Sequence, residues 1–312
     1  MSLFSRRLLN LTLSLTIQSS IKYVLTQGDS LLIASLASLQ DQGAYALSSN
    51  YGGLIARMLF QPIEEASRNL FAKLCAPASS PSTEKPKNPS SNPQTPAADG
   101  VKKASTTLRD ILKFYSLISL VAFSLGPTLA PLLLSLVAGS KWSATGAGDV
   151  LGTYCYYIPL LAINGVSEAF VAATADQKEL YAQSFWMGGF FAAFAGSAYL
   201  FLCVLGLGAE GLVWANCVNM GCRIVFNLGF VKRFFRKNGQ VSLRFVNVDL
   251  YSVVDASQAF DVVDTLPTMY SVSATAVVIS VLRATKGVLA QYGLVGEFVR
   301  IGGIGGVFVL TL

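Results

Sequence analysis

Long apolar runs separated by short polar interruptions dominate the chain, and the runs are too long for the amphipathic elements of a water-soluble domain. They predict spans over 8–39, 41–74, 108–137, 150–174, 180–205 and 209–231, each near or above the roughly 20 residues an apolar helix needs to cross a bilayer. The second of these carries Arg57, Gln61, Glu64, Glu65 and Arg68 in its middle. At about 100° per residue, Asn50, Arg57, Gln61, Glu64 and Arg68 fall on one narrow arc of a helix, with Glu65 beside it. Pro62 removes a backbone donor and crowds the carbonyl one turn earlier, so a kink is expected there.

Other spans repeat the pattern of a polar seam. Asn164 and Glu168 are four apart, and Asn216, Asn219 and Arg223 follow i, i+3, i+7, so each set shares a helix face. Lys22 and Asp29 lie seven apart on one face of the first span. The fifth span holds Gly188, Gly189, Gly196 and Ala198, small residues of the kind that let membrane helices approach closely. Gly126, Pro127 and Pro131 argue for a bend in the third.

These runs divide the chain into five parts: two spans in 1–75, a loop at 76–107, four spans in 108–235, a segment at 236–265, and one or two further spans in 266–312. The loop holds six of the eleven prolines within 77–107, with many serines and four lysines. Such a composition cannot bury enough apolar surface to offset its ordering entropy, so disorder is expected. The 236–265 segment, with Asp249, Asp255, Asp261 and Asp264, is expected to lie on the surface.

Composition agrees with the membrane reading. The 312 residues are 53% hydrophobic and 13% charged, with a mean hydropathy of +0.53, whereas soluble domains carry about 25% charged residues. The net charge of +6 matters by position. With a cytosolic amino terminus, the segments 1–7, 73–113, 175–180 and 232–244 share one side and hold fifteen of the twenty-three Lys and Arg, whereas the loops opposite hold only Lys141. That is the asymmetry of the positive-inside rule. The chain has no histidine, which removes the commonest general base and metal ligand. The five cysteines have no paired metal spacing and read as small hydrophobes. No P-loop, nucleotide fingerprint, catalytic triad or acidic metal motif is present, so no catalytic residue, metal, cofactor or nucleic-acid partner is expected.

Eight charges sit within the six spans: Lys22, Arg57, Arg68 and Arg223 against Asp29, Glu64, Glu65 and Glu168. Each costs at least about 2.5–3.5 kcal/mol near the centre of an isolated span. Either they form a structural ion-pair network, or they line a polar cavity for a charged ligand. Paired carboxylates such as Glu64 and Glu65 suit protons or a cation. Arginines suit phosphate, whose oxygens match their fork of donors.

Gln27-Gly28-Asp29, Asp41-Gln42-Gly43-Ala44-Tyr45, Ala56-Arg57 and the run Phe60 to Glu65 resemble the eukaryotic Rft family, as do Leu161 to Phe170 and Ala215 to Arg223. Gln27 and Ser30 depart from the family pattern. The resemblance implies an all-α polytopic membrane protein of the multidrug/oligosaccharidyl-lipid/polysaccharide exporter superfamily. It covers the C-terminal half of the family pattern, which implies one lobe of about 6–8 helices and a missing N-terminal lobe, as a partial gene model would give. The implied activity is movement of the dolichol-pyrophosphate oligosaccharide across the endoplasmic reticulum membrane for N-glycosylation, directly or as an assisting factor. Arg57, Arg223 and Arg68 are then expected to contact pyrophosphate. Asn164, Asn216 and Asn219 would meet sugar hydroxyls, and Lys22, Asp29, Glu64, Glu65 and Glu168 would form the surrounding charge network. An ion-coupled exporter of small amphiphiles and a non-catalytic scaffold for glycosylation enzymes are the alternatives.

Overall fold

Two of the long apolar runs are disturbed a turn before a proline, at Pro62 and Pro159. In the computed structural model, which describes Thr16, Pro267 and residues 32–76, 96–139, 146–241 and 269–311, no strand occurs among those residues. Helix α1 (Leu39–Ile55) passes through a π-helical turn (Ala56–Phe60) into α2 (Gln61–Leu74). Pro62 stands in the first turn of α2, and the residue four before it, Met58, lies inside the π turn. The wider turn relieves the clash between the proline ring and that carbonyl. The disturbance expected at Pro62 is thus displaced one turn upstream, onto Arg57 and its neighbours.

The same geometry splits the next long run. Helix α4 (Ala147–Tyr154) is followed after a turn by α5 (Tyr157–Thr174). Pro159 sits four residues beyond Cys155, where the helix breaks. The remaining elements are α3 (Pro96–Ala138), α6 (Gln177–Tyr199) with a π-helical end (Leu200–Val204), α7 (Gly208–Val241), α8 (Met269–Ala284) and α9 (Gly293–Thr311). Pro127 and Pro131 both lie within α3, which continues through them.

Among the described residues, four stretches are long and apolar enough to cross a membrane: Asp99–Val137, Ala147–Thr174, Gln177–Val204 and Gly293–Thr311. The 39–74 stretch and α7 have the length but not the hydropathy, because they carry the polar seams. The first predicted span is described only at Thr16 and 32–39, so Lys22 and Asp29 lie outside the described residues, as do the 77–95 and 242–266 parts of the two expected loops.

Three expectations are corrected. Residues 96–107, assigned to the disordered loop, form the first turns of α3. Ala104 and Leu108 are fully buried there, an apolar face at i, i+4 that the surrounding Lys, Ser and Thr conceal in sequence. Likewise α7 runs to Val241, past the boundary placed at 235. Gly188 and Gly196 of α6 meet nothing; α6 packs on α7 through Phe194 and Ala198 against Ala215 instead. The close glycine contact occurs elsewhere, where a Cβ on Gly126 of α3 would press on Cys155 at the α4–α5 break. Cys155 is accordingly buried, but Cys203 is exposed.

The helices form one bundle whose core runs from Phe60, Phe71 and Leu108 through Tyr154 and Val166 to Phe230 and Phe235. Helix α5 packs on α2, α3 and α7, while α8 and α9 pack on each other and on α3. At one end, Asp41 Oδ1 accepts the backbone N–H of Ala209 (3.0 Å) and caps α7. Ser48 Oγ donates to Ala147 O (3.3 Å) nearby. At the other end Phe71, Phe234 and Phe235 surround Phe170, with ring centroids 5.1–5.3 Å away. Lys73, Lys102, Lys103, Lys178, Lys232 and Arg236 lie towards this second end, all exposed.

Asp41 therefore ties the starts of two parallel helices. Replacing it with Ala should cost about 0.5–2 kcal/mol, the range for a lost helix cap. Thermal unfolding in detergent should show a lower midpoint for Asp41→Ala, and an unchanged midpoint would mean that the cap contributes nothing.

Candidate functional site

The polar face of α7 continues one step beyond the sequence reading. Asn216, Asn219, Arg223 and Asn227 descend it at i, i+3, i+7 and i+11, and Asn227, missed before, was legible as the i+4 partner of Arg223. Helix α5 faces this row with Asn164 and Glu168. Arg223 Nη2 donates to Glu168 Oε2 (2.8 Å). Asn164 Nδ2 donates to the same oxygen (3.0 Å), and Asn227 Nδ2 donates to Asn164 Oδ1 (3.2 Å). One connected run thus spans the two helices, with Asn164 and Asn227 buried. Arg223 and Glu168 are 26% and 30% exposed, which leaves the guanidinium partly open to a ligand.

Asn216 is used differently. Its Nδ2 donates to Tyr45 Oη of α1 (2.9 Å) and to Leu212 O (3.0 Å). Tyr45 packs edge-on to Tyr154, and Tyr154 to Tyr157, so a column of tyrosines joins α1, α4 and α5 beside the seam. Arg57 lies within electrostatic reach of Tyr154, and Arg223 of Tyr157. The column therefore runs between the two arginines. Nothing in the sequence spacing predicted it, because its members come from three helices. Asn219 is buried in the same row and makes no side-chain hydrogen bond among the described residues.

The 39–74 stretch supplies the outer part. Glu64 lies against α5 where a Cβ on Gly165 would overlap its carboxylate, so a side chain at 165 would push that carboxylate aside. Glu168 and Arg68 are both within its electrostatic reach. Glu65 accepts a hydrogen bond from Gln61 Nε2 (3.3 Å). Asn50, Arg57, Gln61 and Arg68 are exposed along the predicted arc. Arg57 Nε donates only to Gly53 O of its own helix (3.3 Å), and neither Arg57 nor Arg68 meets a carboxylate within 4.0 Å among the described residues. The structure thus joins Asn164, Glu168 and Arg223 directly, sets Glu64 beside them, and leaves Arg57 and Arg68 facing outward.

No cluster of three metal-binding side chains occurs among the described residues. A cavity of about 610 Å³ lies between α8 and α9, lined by Ala274, Val277, Val281, Gly303 and Val307. It is apolar and separate from the polar seam.

The family model described as Rft protein matches residues 1–300 of the chain. The chain is 36% identical over 248 residues to the Man(5)GlcNAc(2)-PP-dolichol translocation protein RFT1 of Saccharomyces cerevisiae, across 79% of this chain and 40% of that protein. It is 38% identical over 218 residues to the protein of the same name from Kluyveromyces lactis, across 70% and 36%. Against that from Schizosaccharomyces pombe it is 36% identical over 224 residues, across 72% and 39%. The chain thus spans about two fifths of the length of these relatives. No solved structure matches it.

Two substitutions test the seam. Glu168→Gln leaves Arg223 without its counter-charge and should destabilise by about 2–4 kcal/mol, read as a lower unfolding midpoint. Pairing Glu168→Leu with Arg223→Met should recover most of that loss. Gly165→Ala should push the flexible Glu64 carboxylate aside at a cost of about 1 kcal/mol or less, and cost nothing in a Glu64→Ala background. Equal costs in both backgrounds would separate Gly165 from Glu64.

Proposed function

The chain belongs to the Rft family, and on that premise we propose that its polar seam and the Arg57 turn form one wall of a cleft for the headgroup of a dolichol-pyrophosphate oligosaccharide. We place the protein in the endoplasmic reticulum membrane, where that lipid would pass to the lumenal leaflet for N-glycosylation. The relatives are named for translocating Man(5)GlcNAc(2)-PP-dolichol, and no bond is made or broken in such a step.

The physical task is to move charges and hydroxyls through a layer where they would lose their water. Unpaired, each such group costs several kcal/mol. A polar wall that substitutes for water lets the headgroup slide past while the dolichol tail stays in lipid, and rocking of the walls exposes the cleft to each side in turn.

The observation that carries this reading is Arg57. Its guanidinium is exposed on a disturbed turn in the middle of a predicted span, with no carboxylate partner among the described residues. A charge held open at that depth is costly unless water or an anion meets it. Its planar fork suits the oxygens of pyrophosphate. Arg68, also exposed and about three helical turns closer to the basic end, would take the same group as it enters. Arg223 differs because Glu168 already holds it, so it would bind the anion by exchanging one partner for another. Asn219, with its amide uncommitted, is the best placed of the three asparagines for a sugar hydroxyl; Asn164 and Asn216 would position the wall. The protein would carry the headgroup itself or assist its passage.

A chimaera tests this, with the present chain replacing the matching two fifths of the Saccharomyces cerevisiae relative in cells depleted of that protein. Occupancy of N-glycosylation sites on a secreted reporter should be restored. Arg57→Ala in the chimaera should lower headgroup transfer about tenfold or more, corresponding to a lost charge-assisted contact of about 1.5–3 kcal/mol. Arg57→Lys should fall between. Wild-type occupancy in Arg57→Ala, at matched protein level, would remove Arg57 from the site.

A further inference from the structure

We propose that the exposed basic face at the C-terminal end of α7 is a docking surface for anionic phospholipid headgroups. Helix α7 has 34 residues and so runs about 51 Å. The hydrocarbon core is about 30 Å thick. With its start fixed by Asp41 at one end of the bundle, its last turns reach the headgroup layer at the other. Lys232, Arg233, Arg236 and Lys237 occupy those turns.

At about 100° per residue these four fall within an arc of about 140°, and all four are exposed. The other side of the same turns is committed to the bundle: Val231 and Phe235 are buried, and the Phe234 ring lies 5.3 Å from Phe170. The face is therefore held rigidly outward.

Among the described residues, no carboxylate forms an ion pair with it. Arg233 Nε donates to Gly229 O of its own helix (3.2 Å), and no ion pair reaches any of the four among the described residues. The acids at the start of the adjacent α6 are already engaged. Glu179 Oε2 accepts the N–H of Asp176 (2.9 Å), and the Asp176 carboxylate caps the helix in return. Asp99 and Asp110 of α3 are exposed towards the same end, but Lys102, Lys103 and Lys113 of that helix accompany them, so the end stays basic. Anionic lipid is the fitting occupant because the face lies in the plane where such headgroups are concentrated, continuous with a helix embedded in the bilayer. Each basic residue near a membrane surface is worth about fivefold in preference for anionic over neutral lipid, the equivalent of about 1 kcal/mol.

With Trp142 and Trp214 replaced by Phe in every chain compared, Trp186 is a built-in reporter. Its ring lies 6.2 Å from Phe226, six residues before Lys232. The full chain is reconstituted in phosphatidylcholine vesicles containing either brominated phosphatidylserine or brominated phosphatidylcholine, and tryptophan quenching per mole of brominated lipid is compared. The wild type should be quenched several-fold more strongly by the serine lipid. The variant Lys232→Gln, Arg233→Gln, Arg236→Gln, Lys237→Gln should show near parity, and Lys232→Arg with Lys237→Arg should keep the preference, since charge is conserved. Equal quenching in the wild type overturns the proposal, as does an unchanged preference in the quadruple variant. So does loss of the preference on adding inorganic pyrophosphate at matched ionic strength, which would mean a site for free phosphate groups rather than lipid. The measurement reports on lipid at the protein surface and is independent of translocation.

Discussion

A charge buried among apolar helices has to be met by something, and the arrangement of α5, α7 and α2 follows from how each charge is met. Arg223 and Glu168 meet each other, and Asn164 and Asn227 extend that contact into a run of hydrogen bonds. Removing one ion would strand the other, which is why the seam holds α5 and α7 in register. Glu64 is brought to the same place by a different device, the absence of a side chain at Gly165. Arg57 and Arg68 are left facing outward. Among the described residues, the paired charges hold helices together, and Arg57 and Arg68 are without a carboxylate partner, the contrast on which the proposed headgroup site rests.

Backbone breaks place those open charges. Pro62 and Pro159 each disturb the helix about four residues upstream, at the π turn around Arg57 and at Cys155. Both disturbances border the tyrosine column of Tyr45, Tyr154 and Tyr157, which fills the space between α1, α4 and α5. Arg57 therefore sits on irregular backbone next to rigidly packed aromatics. Irregular backbone at membrane depth is tolerated where it is buried in protein or lines a polar passage, and this one carries an exposed guanidinium.

The two ends of the bundle have different jobs. At the Asp41 end a carboxylate caps the start of α7 and binds two parallel helices together. At the opposite end a phenylalanine cluster locks α2, α5 and α7, and the lysines and arginines project from it. The helix ends are thereby set at fixed heights, which is what the proposed contact of the basic face with lipid headgroups requires.

The helical class, the existence of the long elements and the polar arcs were legible in the sequence, because hydrophobic periodicity and i, i+4 spacing are local properties of one chain segment. Asn164 with Glu168, and Asn216 with Asn219 and Arg223, could be placed on common faces from spacing alone. Local pattern could not say which face meets which. Glu168 pairing with Arg223, Asn216 reaching Tyr45, and Glu64 resting on Gly165 join residues 55, 171 and 101 positions apart. Nor could it reveal that 96–107 is helical, since the burial of Ala104 and Leu108 against other helices overrides a composition that by itself resembles disorder. The sequence by itself determined which residues are polar within an apolar chain; the tertiary structure decided which of them are already satisfied, because satisfaction depends on partners that only packing brings near.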